Sequence, residues 1–206
     1  TLVGLDAPSG SKNLELKPYV IGNLTSDATA RPSLSNDPGG DVGGDVKYGV
    51  TQNLTADLTY NTDFAQVEAD EQQVNLTRFN LFFPEKRDFF LENSGTFVFG
   101  IGGASGGAMV SSTSDLPALF YSRRIGLQQG RVVPIQGGGR LTGRVGRFSL
   151  GLLDIQIDDE AAIGARSSNV SVVRVKRDIL RRSSVGVLMT NRSVRETGTG
   201  SNQAYG

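Results

Sequence analysis

The chain has no cysteine, no histidine and no tryptophan among its 206 residues. Without cysteine it has no disulfide, no thiol nucleophile and no thiolate zinc site. Without histidine it lacks a Ser-His-Asp triad, imidazole metal ligands and the usual proton shuttle at neutral pH. Any catalysis would rest on carboxylates, Lys, Tyr or Ser. Charge of either sign is not in excess: Lys and Arg number 21, Asp and Glu 21. A nucleic-acid partner is therefore not expected, since it would need a basic surface. No run approaches the ~20 apolar residues of a membrane helix. That excludes a helical membrane protein but not a barrel, whose strands need only ~9–11 residues of alternating character.

Glycine is abundant, at 27 residues. Inside strands it marks bends, bulges and close approach, as barrel corners require. Period-two alternation is clearest over 42–62. There Val46, Tyr48 and Val50 alternate with Lys47 and Gly49. Past a turn at Thr51-Gln52-Asn53, Leu54, Ala56, Leu58 and Tyr60 alternate with Thr55, Asp57, Thr59 and Asn61. Such a hairpin has one apolar and one polar face. Further strands are expected at 14–24, 94–100, 119–125, 132–145, 148–158, 170–179 and 184–194, with 25–41 a turn-rich loop. A short strand is expected at 74–79 and a short helix at 84–91, opened by Pro84 at the first helical position. Pro18 marks an edge or a bulge in its strand. Residues 1–13 read as a linker, and 202–206 as the opening of another strand of a longer protein.

The fold expected is all-β: a partial antiparallel up-and-down transmembrane β-barrel of roughly nine strands over 14–206, with one helical segment near 84–91. In that barrel Leu54, Leu58, Tyr60, Leu153, Ile155, Val173 and Val175 would face lipid.

One stretch breaks the simple pattern: DFAQVEADEQQVNLTRFNLFFPEKRDFFLEN, residues 63–93. Its string Asp63 to Asp70, followed by Val74 to Phe79 and Phe82 to Arg87, resembles a family of bacterial surface proteins. Members usually join an N-terminal family-9-like carbohydrate-binding sandwich to a C-terminal barrel domain of unknown function. The similarity extends to Leu16-Lys17-Pro18-Tyr19, Gly44 to Gly49, Tyr121 to Gly126 and Leu141-Thr142-Gly143. Thr62 stands where that pattern has proline, and the carbohydrate-binding module is absent from these residues. The resemblance implies a bacterial outer-membrane location, contact with outer-membrane lipid and a link to extracellular carbohydrate. It brings no catalytic residues and no cofactor.

The acids Asp63, Glu68, Asp70 and Glu71 admit three readings. A carboxylate pair could hydrolyse a glycoside, with Asp70 and Glu71 as the weak catalytic candidates. Oxygen ligands could hold Ca²⁺, although the spaced Asp loop of a calcium site is missing. The preferred reading pairs them with Arg and Lys. Glu85, Lys86, Arg87, Asp88 and Glu92 could grip a substrate. The preferred reading is that they anchor a wall-hugging segment through ion pairs, because charges withdrawn from water need partners. Arg123, Arg124, Arg140, Arg144, Arg174 and Lys176 would neutralise those acids or favour anionic solutes. The expected lumenal network is thus Glu68, Asp70, Glu85, Lys86, Arg87, Asp88, Glu92, Arg123 and Arg124, with no metal site. Gly102-Gly103 and Gly137-Gly138-Gly139 lack the Lys-Ser/Thr of a phosphate loop.

Three functions follow. A non-catalytic outer-membrane barrel tied to carbohydrate binding or uptake is preferred. The alternatives are a membrane-associated glycoside hydrolase and a soluble β-sandwich binding module. Exposure of the alternating apolar side chains separates the first from the last.

Overall fold

The computed structural model describes residues 13–27, 34–62, 85–99, 119–128, 131–161, 164–180, 183–194 and 200–206. Eight strands form one antiparallel sheet: β1 (Leu14–Asp27), β2 (Leu34–Thr51), β3 (Leu54–Tyr60), β6 (Ile135–Val145), β7 (Phe148–Ile157), β8 (Ser168–Asp178), β9 (Ser184–Val194) and β10 (Ser201–Tyr205). They lie in that order, each paired with its sequence neighbour among the sheet strands. A separate two-stranded piece joins β4 (Leu127–Gln128) to β5 (Arg131–Val132). The helix α1 (Asp88–Leu91) and two 3-10 turns, Ser94–Phe97 and Ser122–Arg124, complete the regular structure among the described residues. Among the described residues the sheet is open, with β1 and β10 at its edges.

The two ends of the sheet differ. At one end the connections are short: 52–53, 146–147 and 179–183. Gly146 takes φ +61° in its turn, a conformation that costs a Cβ-bearing residue. The other end carries the strand ends joined through the longer connections: Asp27 and Leu34, Tyr60 and Ile135, Ile157 and Ser168, and Val194 and Ser201. Pro18 lies on β1, where a missing backbone N–H is tolerated because the strand is at an edge.

The two faces differ more. Successive side chains of a strand point to opposite faces. One face, here the packed face, carries α1 and its neighbours. Phe89, Phe90, Phe97, Ile135, Leu153, Ile155, Val172 and Leu188 form its core. The other is bare. The register leads along one row of it through Leu14, Tyr48, Ala56, Leu141, Leu152, Val173, Met189 and Tyr205, an apolar residue on each of eight strands.

The structure corrects several expectations. Leu58, Tyr60 and Val173 are on the bare face and exposed. Leu153 and Ile155 are not: they are 4% and 0% exposed on the packed face. β7 is apolar on both faces, so alternation against Asp154 and Gln156 gave the wrong side. Phe148, Leu150 and Leu152 are the bare-face set, in register with Val145, Val175 and Val173. The loop expected at 25–41 is mostly strand, because β1 and β2 pair out to Asp27 and Leu34. The strands expected at 94–100 and 119–125 are instead the two 3-10 turns. The helix expected at 84–91 is confined to Asp88–Leu91, since Arg87 has extended backbone with ψ 125°. The strand expected at 74–79 lies outside the described residues.

Candidate functional site

α1 is a single turn and too short to be stable alone. Its place is set by two arginines. On β6, Arg140 lies directly opposite Asp57 of β3 in the register. Its Nε and Nη2 donate to Asp57 Oδ2 at 3.1 and 2.8 Å. Its Nη1 donates to the backbone oxygens of Phe89 and Glu92, the free carbonyls at the end of α1. The guanidinium also stands 5.1 Å from the Phe89 ring centre. Asp57 and Arg140 are both buried. Both must be satisfied, since an isolated charge cannot remain there.

Arg87 makes the second tie. It is 2% exposed. Its Nε and Nη2 reach Glu85 Oε1 and Oε2, each at 2.8 Å, a two-toothed pair. Nη1 donates to Ile125 O at 2.7 Å and Nη2 to Ser122 O at 2.9 Å. Ser122 Oγ donates to Glu85 Oε2 at 2.8 Å. The guanidinium lies 4.2 Å from the Phe90 ring centre. Arg87 thus binds the stretch before α1 to the 3-10 turn at Ser122–Arg124. The two phenylalanines, adjacent in sequence, are both buried and meet edge to face at 5.1 Å. One faces the Arg140 tie and the other the Arg87 tie.

Beyond α1, Asn93 Nδ2 donates to Thr142 Oγ1 on β6 at 3.1 Å. Thr96 and Phe97 then lie over Gly151 of β7, where a Cβ would stand 2.8 Å from Thr96 Cγ2. The missing side chain at Gly151 makes room for the 3-10 turn.

Beside Arg140 the packed face opens into a recess lined by Glu15, Lys17, Asp45, Lys47, Asp57, Asp88 and Glu92. Its enclosed part is about 40 Å³, room for water and too little for a sugar ring. Lys47 Nζ donates to Glu92 Oε1, and Lys17 pairs with Glu15 at 3.3 Å. No group of three acidic side chains placed to hold a metal occurs among the described residues.

The expected network divides. Glu85, Arg87 and Glu92 sit at the two ties. Asp88 is exposed at the rim of the recess, Arg124 is exposed, and Arg123 is buried in its turn. Lys86 is half-buried beside Glu85, whose Oε1 accepts its backbone N–H at 3.1 Å. Glu68, Asp70 and Glu71 lie outside the described residues. The sequence reading missed Asp57. Its signal was an acid in phase with the polar face of the clearest alternating strand.

The Glu85 carboxyl has a definite pH consequence. Burial pushes it up, but the Arg87 and Ser122 hydrogen bonds and the Arg87 charge outweigh that, and its pKa lies below the ordinary 4.5. A carboxyl lowered in the folded state contributes stability above its unfolded pKa. That contribution fades below about pH 4.5 and is gone once the folded carboxyl is protonated. Amide exchange of residues 87–99 is expected to accelerate as pH falls from about 5 toward 3, after correction for intrinsic exchange. Glu85→Gln should flatten that dependence.

Taken together, the described residues form an antiparallel sheet with one apolar face that none of them covers and an ion-paired segment fixed to the other. The chain belongs to the DUF5916 family, described as a domain of unknown function, whose pattern matches residues 11–136, more than half of the sequence. Comparison with curated proteins and with solved structures gives no match.

Proposed function

We propose that the chain is part of the wall of a bacterial outer-membrane β-barrel. Its bare face meets lipid, its packed face turns to the lumen, and residues 85–99 form an internal segment that narrows the lumen. The role is structural or transport-related and non-catalytic. A part in carbohydrate binding or uptake rests on the resemblance to surface proteins that carry a sugar-binding sandwich.

The observation that carries this reading is the separation of charge from grease on the same strands. In β1–β3 the acids and lysines Glu15, Lys17, Asp45, Lys47 and Asp57 alternate with Leu16, Val46, Tyr48, Ala56 and Leu58. The charged set lines the recess beside α1. The apolar set forms the bare face, where Leu58 is 57% exposed. A soluble sheet would cover such a face, whereas a membrane barrel presents it to lipid. The soluble sandwich needs a second sheet on the bare face, and among the described residues none lies there.

Flotation tests it. The full chain, refolded from urea into phosphatidylcholine vesicles, should rise with the vesicles in a density gradient and resist extraction by alkaline carbonate. A folded monomer that stays in the aqueous fraction would overturn the membrane reading.

A further inference from the structure

The apolar area of the bare face is not rectangular. On β7 through β10 it ends, toward the long connections, at one row: Leu152, Val173, Met189 and Tyr205. The next row is polar, running Asp154, Ser171, Asn191 and Gln203. The same two rows continue onto β1 as Leu14 and Leu16. There the apolar residues go on to Val20, opposite Val42 of β2. From β7 to β1 the border has therefore advanced at least six residues along the strand while crossing four strand spacings. At about 3.4 Å per residue and about 4.8 Å per strand, the border is inclined to the rows by about 45° or more. At the opposite end the slope has the same sense. The area stops at Leu54 on β3 but runs on to Val145 and Phe148 on β6 and β7.

A second sheet packed on this face would cross its strands at about 30° or near 90°. A bilayer sets the border by its own surface, which the strands cross obliquely. Strands of membrane barrels tilt by about 35–45°. Tyrosine is favoured at membrane surfaces, and Tyr60 and Tyr205 both stand at the upper border. Short turns of such barrels face the periplasm and longer loops the exterior.

We infer that the bare face is a bilayer-contact surface crossed by the strands at roughly 45°. Val20 on β1 sits within the hydrocarbon, and Asp154 on β7 sits outside it. The turns at 52–53 and 146–147 face the periplasm, and the 158–167 connection faces the exterior. This rests on the membrane reading above but can fail without it.

Because the chain has no cysteine, single cysteines report without background. Bimane placed at Val20→Cys, Leu152→Cys and Asp154→Cys of the full chain is read in vesicles of brominated phosphatidylcholine. The tilt predicts loss of fluorescence at Val20 and Leu152 and none at Asp154. With rows parallel to the membrane, Val20 would lie two rows farther out than Asp154. Quenching at Leu152 with none at Val20 therefore overturns the tilt and leaves the membrane reading standing. Quenching at no position overturns both. Sidedness is read on intact cells with a membrane-impermeant maleimide. Asp159→Cys should label directly and Gln52→Cys only after the outer membrane is permeabilised; the reverse pattern overturns the orientation.

Discussion

Arg140→Met is expected to detach α1 from the sheet and to destabilise the chain by about 3–5 kcal/mol, the cost of removing one partner of a buried ion pair. Methionine keeps much of the aliphatic length of arginine, so packing is not the main loss. The loss is chemical. Asp57 keeps a buried carboxylate whose bonds to Arg140 Nε and Nη2 are gone. The carbonyls of Phe89 and Glu92 lose the donor that closes α1. Asp57→Asn should cost less, because its amide still accepts from the guanidinium. The double variant Arg140→Met, Asp57→Leu should recover much of the loss in global unfolding, since paired apolar replacement of a buried ion pair is often neutral. It should not recover the order of α1, whose carbonyls stay without their donor. Urea unfolding in detergent micelles reads the first quantity, and amide exchange at Phe89–Glu92 reads the second. Equal stability of Arg140→Met and the parent would refute the tie.

How much of this was legible in the sequence depends on whether local pattern or long-range pairing decided it. β3 was legible because Leu54, Ala56, Leu58 and Tyr60 all go one way and Asp57 and Thr59 the other. β7 was legible as a strand but not as to face. Leu152 and Leu153 are adjacent and both apolar, so phase had to come from its neighbours' register. The tips of β1 and β2 were hidden by Asp37-Pro38-Gly39-Gly40, turn chemistry that here lies within a long hairpin arm. Phe97 and Phe99 imitate strand alternation, yet the backbone between Ser94 and Phe97 is a 3-10 turn. What fixed it was tertiary: the bare backbone of Gly151 beneath and the Asn93–Thr142 bond before it. The arginine ties were partly legible. Arg87 and Glu85 are two residues apart and were expected in ion pairs. Arg140 and Asp57 are 83 residues apart and meet only because β3 and β6 are neighbours. Opposite charges facing each other across a strand pair are a recognisable unit once the pairing is known. The pairing itself jumps the whole 61–134 connection, which no local pattern predicts.

Val187→Arg separates the membrane reading from the soluble one by the sign and size of a single number. Val187 is 59% exposed on the bare face, between Val185 and Met189 and one row inside the border on β9. In a water-facing sheet, substitution at such a site changes stability by only about 0.5 kcal/mol either way. In a bilayer, an arginine there has to be carried into hydrocarbon. The expected cost is about 2–4 kcal/mol near the midplane, falling to about 0–1 near the surfaces. The tilted border refines the expectation. Gln203→Arg, one row beyond the border on β10, should cost almost nothing. Leu58→Arg, on the row of Asp154 but on β3, should cost as much as Val187→Arg, because there the apolar area extends to Tyr60 and Leu58 is likewise one row inside it. Urea titration of chain refolded into vesicles measures all three. A small and uniform effect would place the bare face in water. A large effect at Val187 and Leu58 with none at Gln203 requires an apolar medium whose boundary cuts obliquely across the strands, and a bilayer met by tilted strands supplies that boundary.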